Sequence, residues 1–346
     1  MVRRAAATTP DDRLNDMEEI LISILIATKN RASSLSRTLD SVFTASNISR
    51  SDWELIIADN GSSDDTPATC RAFAERFPEH FRFLYEDRGG KSCALNEGVQ
   101  ICRGAVLALI DDDVICEDAY LDGIRAAYAA NASHVVQGRV KVDYAGKVPA
   151  WFDDHFESLM CKIDLGDRVC ELQREFWGLN VVLPVECVAT VGGFCPELGA
   201  GALGFAEDAE FSARVRKAGY RFMYDPGIVV RHQIPSQRMT PRYVLRRSYA
   251  IGRSFAFYQD APKASLWRYS AYIAKTILRT FPRFLLNVVL AQWNPALRKA
   301  CDYLSSFGFI YQQWAFRLRG RPVLTTPLVP ILRREHRRAE TINANT

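Results

Sequence analysis

Three adjacent aspartates, Asp111, Asp112 and Asp113, lie in the run AVLALIDDDV at Ala105–Val114. Like charges a few ångströms apart repel, and a divalent cation relieves that repulsion. Hard oxygen ligands suit Mg²⁺ or Mn²⁺, and Mg²⁺ typically sits between one or two carboxylates and substrate phosphates. A solvated acidic turn ahead of a helix at Glu117–Asn131 would use the same residues with no chemistry. A second acidic pair, Glu207-Asp208, precedes the helical face of Phe211, Val215 and Ala218. A carboxylate there can take a proton from a hydroxyl, or simply favour the positive end of the helix dipole. Arg88 and Lys91 flank Gly89-Gly90 at the start of another helix, a place that welcomes phosphate charge. The glycine spacing is not that of a Walker A loop. Asp59 could accept a hydrogen bond from a base N–H or a ribose, although a lone aspartate is commonly a turn former.

These groups need elements to hold them. Ala105–Ile110 is too short for most helices and suits a strand buried on both faces. Leu21–Ala27 (LISILIA) and Glu54–Ala58 (ELIIA) read the same way, and Phe81, Phe83 and Tyr85 alternate as a third strand. Helical spacing follows at Leu35, Leu39, Val42 and Phe43, and at Cys70, Phe73, Ala74 and Phe77. Thr66-Pro67 suits the cap and first turn of the second helix. Val135–Val142 alternates as a further strand. Repeated strand–helix units predict an α/β fold with a doubly wound, mostly parallel sheet that binds a nucleotide at the carboxyl ends of its strands. Thr28, Lys29, Asn30 and Arg31 then occupy a strand-to-helix turn able to meet an anion or a base.

The chain has 346 residues, 48% hydrophobic and 24% charged, as expected of an ordinary globular protein with one large domain or two. Nine cysteines show no paired metal spacing and read as reduced core residues of a cytosolic protein. No apolar h-region marks the first twenty residues, which predicts no secretory signal. The net charge of +4 is unevenly divided: Ser236–Glu340 carries 19 Lys and Arg against 4 Asp and Glu, leaving the remainder at −11. A basic part attracts anionic surfaces.

The order of motifs resembles the family 2 glycosyltransferases with the GT-A fold. The stretches are ISILIATKNR at Ile22–Arg31, IIADNGSSDDT at Ile56–Thr66, GGKSCALNEG at Gly89–Gly98 and LALIDDDV ending at Val114. FWGLNVVLP at Phe176–Pro184, GGFCPELG at Gly192–Gly199 and GFAEDAEFSARVRKAGYRFMYDPGIVVRH at Gly204–His232 continue it. The resemblance implies an inverting, nucleotide-sugar-dependent transferase, most readily a UDP-sugar enzyme. Thr28, Lys29, Asn30, Arg31, Asp59 and Gly61 match the base-binding turns, although relatives often carry an aromatic where this chain has Lys29. Arg88 and Lys91 fall by the diphosphate, and Asp111 and Asp112 by the ribose. Asp113, with Asp111 and His232, matches the metal position, implying Mn²⁺ or Mg²⁺. Asp208 matches the general base, with Glu207 beside it. Trp177 and Asn180 are expected on the acceptor side, where an aromatic face can stack on a sugar.

The expected division is a flexible N-terminus over 1–20, a GT-A domain over 21–235 and a basic, mainly helical region over 236–346. In Leu266–Phe281, Arg268, Lys275 and Arg279 fall within about 40° on a helix, with Trp267, Ile273 and Ile277 supplying apolar surface and Pro282 ending the helix. FLLNVVLAQW at Phe284–Trp293 is too short to span a bilayer. This part is expected to lie on a membrane, at the inner face of the cell membrane near a glycan or lipid-linked acceptor, or to pack in a homo-oligomer. A sugar nucleotidyltransferase would instead place a glycine-rich loop with Arg and Lys after the first strand. A non-catalytic nucleotide-sugar-binding protein need not keep both Asp113 and Asp208. No nucleic-acid motif is present.

Overall fold

The computed structural model describes residues 20–45, 50–202, 205–258 and 266–320. The expected flexible N-terminus falls outside this range except for its last residue, as does the basic stretch beyond 320. The elements run β1 (Ile22–Thr28), α1 (Ala32–Ala45), β2 (Trp53–Asp59), α2 (Thr66–Arg76), β3 (Phe81–Tyr85), α3 (Lys91–Gln100), β4 (Val106–Ile110), β5 (Val114–Cys116), α4 (Tyr120–Ala130) and β6 (Val135–Tyr144). Then follow α5 (Asp154–Ser158), β7 (Cys170–Glu171), β8 (Asn180–Pro184), α6 (Val185–Val191), α7 (Glu207–Lys217), β9 (Phe222–Ile234), α8 (Pro241–Tyr258), α9 (Leu266–Val289) and α10 (Trp293–Arg319).

One nine-stranded sheet has the order β3-β2-β1-β4-β8-β6-β9-β5, with β7 pairing β9. The first four strands are parallel; β8 runs antiparallel between β4 and β6. Every residue of β1, β2, β4 and β8 is buried. Their continuous apolar runs pack helices on both faces, which is why they do not alternate. The register pairs Thr28 with Asp59, so two polar strand ends open at the same edge as the Asp111–Asp113 turn. All nine cysteines are free and seven are buried, as their apolar neighbours predict.

Three local expectations change. The chain after the aspartates re-enters the sheet as β5, a three-residue strand too short to give a periodic signal, and α4 begins only at Tyr120. Thr66 does not cap α2: it is the first helical residue, and its hydroxyl accepts from the Arg31 amide at 2.9 Å. Pro282 does not end α9, which continues to Val289. The carbonyl that loses its partner belongs to Leu278, itself 71% exposed, where water can satisfy it. On either side of the proline the helix is held to α10: the Thr280 hydroxyl meets the Tyr303 hydroxyl at 2.7 Å, and Phe284 packs on the Tyr303 ring at 5.8 Å.

The C-terminal helices are joined to the sheet domain by apolar packing. Val244 of α8 and Met239 before it pack with Phe152, Phe156 and Ile234; Ala256 and Phe257 pack with Cys195 and Leu198. α8 crosses α10 at two glycines. A Cβ on Gly252 would sit 1.9 Å from the Ser305 carbonyl oxygen, and one on Gly308 2.2 Å from that of Tyr249.

Candidate active site

The turn after β1 is tied to the turn after β2. Asn30, at φ 53°, accepts the Ser63 amide at 2.7 Å, and its own amide donates to the Ser62 hydroxyl at 2.8 Å. Asp59 is fully buried; its Oδ1 accepts from the Ser62 amide at 3.0 Å and hydroxyl at 2.5 Å. Its Oδ2 is sealed from solvent with no hydrogen-bond partner. Such an atom costs free energy unless a donor reaches it. Gly61 takes φ 73°, and a Cβ there would lie 3.5 Å from the Tyr85 hydroxyl. Lys29 and Arg31 are exposed on the same turn.

The next loop is held by Asn60, which accepts the Gly90 amide at 2.8 Å and donates to the Arg88 carbonyl at 2.7 Å. In this structure the Arg88 guanidinium is taken up by two acids. Glu86 at 2.7 Å and Glu97 both hold its guanidinium, because the loop sets the two acids on its flanks. Lys91, at the first turn of α3, is the remaining cation. Its Nζ lies 2.7 Å from Asp111 Oδ1 and 3.4 Å from Glu207 Oε1. Burial disfavours the ammonium charge, but Asp111 and Glu207 outweigh it and hold the lysine protonated.

The three aspartates diverge. Asp111 goes to Lys91. Asp112 accepts the Thr28 hydroxyl at 2.7 Å; burial, with Asp113 and Asp111 close by, pushes its carboxyl up to about 6 despite that hydrogen bond. Asp113 is buried against β9, with Oδ1 3.3 Å from His232 Nε2 and Oδ2 3.1 Å from Arg238 Nη2. Burial alone would raise its carboxyl, but His232 and Arg238 hold it down at about 2.

His232 Nδ1 lies 2.8 Å from the Met160 carbonyl, which can only accept, so Nδ1 carries the proton. Nε2 faces two groups of opposite demand, the Asp113 carboxylate at 3.3 Å, which accepts, and Arg238 Nη1 at 3.1 Å, which donates. Asp113 and His232 Nε2 thus converge on a single guanidinium. That donor pair also fits a divalent cation, whose other ligands would be substrate oxygens and water. No group of three His, Cys, Asp or Glu side chains converges as a metal site among the described residues, so Asp111 does not join Asp113 and His232 in one ligand set. Arg238 carried no periodic or motif signal in the sequence; it reaches the site through the short 3₁₀ turn Ser236–Arg238.

α7 opens on Ala206 at φ 87°, a left-handed conformation that alanine rarely adopts. Glu207 follows, buried, with its carboxyl pushed up to about 7 by burial, with Asp208 and Asp111 adding and Lys91 opposing. Asp208 Oδ2 accepts the Gly178 amide at 2.9 Å and Oδ1 the Ala209 amide at 2.8 Å. A Cβ on Gly178 would stand 3.3 Å from that of Asp208, so the loop before β8 lies directly on the aspartate. Trp177, half-buried beside this glycine, has the Arg174 guanidinium 4.2 Å from its ring centre.

Asn180 is not available to an acceptor. It is fully buried at the start of β8, donating to the Arg139 and Ile228 carbonyls, each at 3.0 Å, where the β6–β9 register shifts at Gly138/Arg139. Its side chain fills a defect in the sheet, a role its place in the motif does not reveal.

The chain is similar to known proteins over most of its length. The glycosyl transferase family 2 model matches residues 23–177, and the glycosyl transferase family group 2 model matches residues 106–319. Validoxylamine A glucosyltransferase of Streptomyces hygroscopicus subsp. jinggangensis is 29% identical over 331 residues, covering 88% of this chain and 70% of that protein. Glycosyltransferase AglE of Haloferax volcanii is 24% identical over 233 residues, covering 67% and 72%. In fold, the chain resembles the mannosyltransferase PcManGT from Pyrobaculum calidifontis, solved with GDP-Man and Mn²⁺, with a TM-score of 0.59, 19% identity and coverage of 89% and 91%. A constellation of carboxylates around one half-buried lysine at the edge of this sheet, together with a family match over more than half of its length, makes the chain a member of the family 2 glycosyltransferases: an enzyme of GT-A fold that uses a nucleotide-sugar donor.

Proposed function

We propose that the enzyme transfers a sugar with inversion from a UDP-sugar to a hydroxyl of a glycan or lipid-linked acceptor, with Asp208 as general base. The observation that carries this reading is the cluster of Lys91, Asp111, Glu207 and Asp208. It sets a half-buried, protonated cation for a leaving diphosphate beside a carboxylate for an incoming hydroxyl. The acceptor oxygen bonds to the anomeric carbon as the bond from that carbon to the diphosphate breaks. The hydroxyl proton goes to Asp208, whose two backbone hydrogen bonds fix its direction and leave lone pairs for the acceptor. Lys91 offsets the charge that develops on the diphosphate.

Asp113 and His232 are the residues that would hold a divalent cation, in place of Arg238. A bound Mn²⁺ or Mg²⁺ would supply Lewis-acid charge next to the leaving group. Asp59 supports uracil as the base. Only its Oδ2 is free, and uracil offers one ring N–H, whereas guanine offers two donors on one edge. A panel of UDP-, GDP- and ADP-sugars with Mn²⁺ or Mg²⁺, scored for nucleotide release, tests the reading; release confined to UDP-sugars is expected, and release from none of them would overturn it.

The basic C-terminal helices support contact with an anionic membrane surface close to the acceptor. No helix among the described residues is long and apolar enough to cross a bilayer. α9 instead has an exposed apolar stripe of Trp267, Leu278, Phe281, Leu285 and Val289. Beside it run the exposed Arg268, Lys275, Arg279 and Arg283, and the helix holds no acidic residue. Ile273 and Ile277 are not part of that stripe: both are half-buried, on the side of Ser270 and Thr280 that meets α10.

A further inference from the structure

Two half-buried arginines, Arg174 and Arg247, have no carboxylate partner among the described residues. Arg174, half-buried, lies over the Trp177 ring, and its one polar bond from the guanidinium is to the Glu175 carbonyl at 3.1 Å. The Glu175 carboxylate pairs instead with Arg216 at 3.0 Å. Arg247 of α8 lies 5.0 Å from the ring centre of Phe205 and 3.5 Å from Cys161 Sγ; its Nε is sealed from solvent and has no hydrogen-bond partner. No carboxylate lies within 4.0 Å of either guanidinium among the described residues. Both are tied to the start of α7: Arg174 stacks on Trp177, whose neighbour Gly178 donates to Asp208 at 2.9 Å, and Arg247 lies over Phe205, two residues before Glu207.

A partly buried guanidinium without a counter-ion is costly, since it has lost water and gained no charge partner. Aromatic faces hold the two planes but do not neutralise them. The proposed donor site does not need them, because Lys91 and the Asp113–His232 pair are the groups assigned there to the diphosphate.

The geometry points to an acceptor that carries an anionic oxyacid group, a phosphate or a carboxylate, which Arg174 and Arg247 bind while its hydroxyl meets Asp208. This rests on Asp208 being the general base. Arginine forks match such groups in bidentate fashion. The loop Arg174–Gly178 joins the two functions physically, carrying the Arg174–Trp177 stack at one end and the Gly178–Asp208 hydrogen bond at the other.

The test is calorimetric titration of the full chain with octyl phosphate, glucose 6-phosphate, glucuronate and neutral octyl glucoside, all with UDP and Mg²⁺ saturating so that Lys91 is occupied. At least one anionic probe is expected to bind well above octyl glucoside. Arg174→Gln and Arg247→Gln should each weaken it by about tenfold, the scale of one charged hydrogen bond. Octyl phosphate ahead of glucose 6-phosphate would assign the group to a lipid, the reverse to a sugar, and glucuronate ahead of both to a carboxylate. If a glutamine variant melts early, Arg247→Lys, which keeps the charge but loses the fork, should weaken binding by a smaller factor. Equal binding of neutral and anionic probes, or variants that bind as the parent does, would overturn the inference. UDP binding by the parent is measured separately. Its absence would overturn the donor reading and leave the arginine comparison to be judged on its own.

Discussion

Arg238 occupies the place where Asp113 and His232 converge, so any divalent cation must displace a guanidinium already paired there. Asp113→Ala should therefore abolish metal-dependent UDP-sugar binding in calorimetry while leaving the far-UV spectrum intact; undiminished turnover of the parent in EDTA would show that the guanidinium alone suffices. Glu207 gives a pH signature. Its carboxyl ordinarily titrates near 4.5 and is pushed up to about 7 in the fold. Between those values the folded state binds more protons than the unfolded one, so Glu207's contribution to stability falls as pH rises through the window. Glu207→Gln should flatten that part of the stability–pH curve, read from urea midpoints between pH 4.5 and 7; an unchanged slope would mean that Glu207 is already ionised against Lys91. At this scale what was legible was residue type at the end of an element, the acids Asp111–Asp113 after β4 and Lys91 at the start of α3. The motifs misled where a side chain's partner lies elsewhere in the chain. Arg88 meets Glu97, and Asn180 is used up on the Arg139 and Ile228 carbonyls. Arg238 was invisible as a site residue because only folding brings it to Asp113 and His232.

β1–β4, β6 and the helices with a repeating apolar face were read from periodicity with small shifts of boundary, since buried parallel strands are continuous apolar runs and their helices have one apolar face; β8 and β9 were seen only as motif stretches. β5 escaped because three residues cannot show a period, and Pro282 failed to stop α9 because tertiary contacts with α10 carry the helix past it. The same kind of contact governs the α8–α10 crossing. Gly252→Ala would drive a methyl group into the Ser305 backbone, which cannot move as a side chain can. The expected loss is about 1–3 kcal/mol, the usual cost of overpacking, measured as a lower urea midpoint at unchanged slope. A neutral substitution would mean that the two helices separate in solution.

Over the whole molecule, charge is split between an acidic sheet domain and a basic C-terminal part, and α9 concentrates that asymmetry on one exposed helix. Anionic lipid attracts each such residue by about 1 kcal/mol near the surface, and salt screens it; the apolar stripe adds a contribution that salt does not remove. Co-sedimentation with anionic liposomes should rise with anionic lipid and weaken, without vanishing, in high salt. Arg279→Gln with Arg283→Gln should reduce the salt-sensitive part, and Leu278→Ser with Leu285→Ser the remainder. Protein that stays in the supernatant at low salt would instead make this face a packing or oligomer surface. The account as a whole depends on a carboxylate poised beside a charged lysine at the strand ends. The most direct measurement compares Asp208→Asn with the parent for UDP-sugar affinity and for transfer rate to the same acceptor. The exchange is nearly isosteric, so affinity should persist while transfer falls by about 10² or more, the scale of a lost general base; transfer at the parental rate would contradict the account.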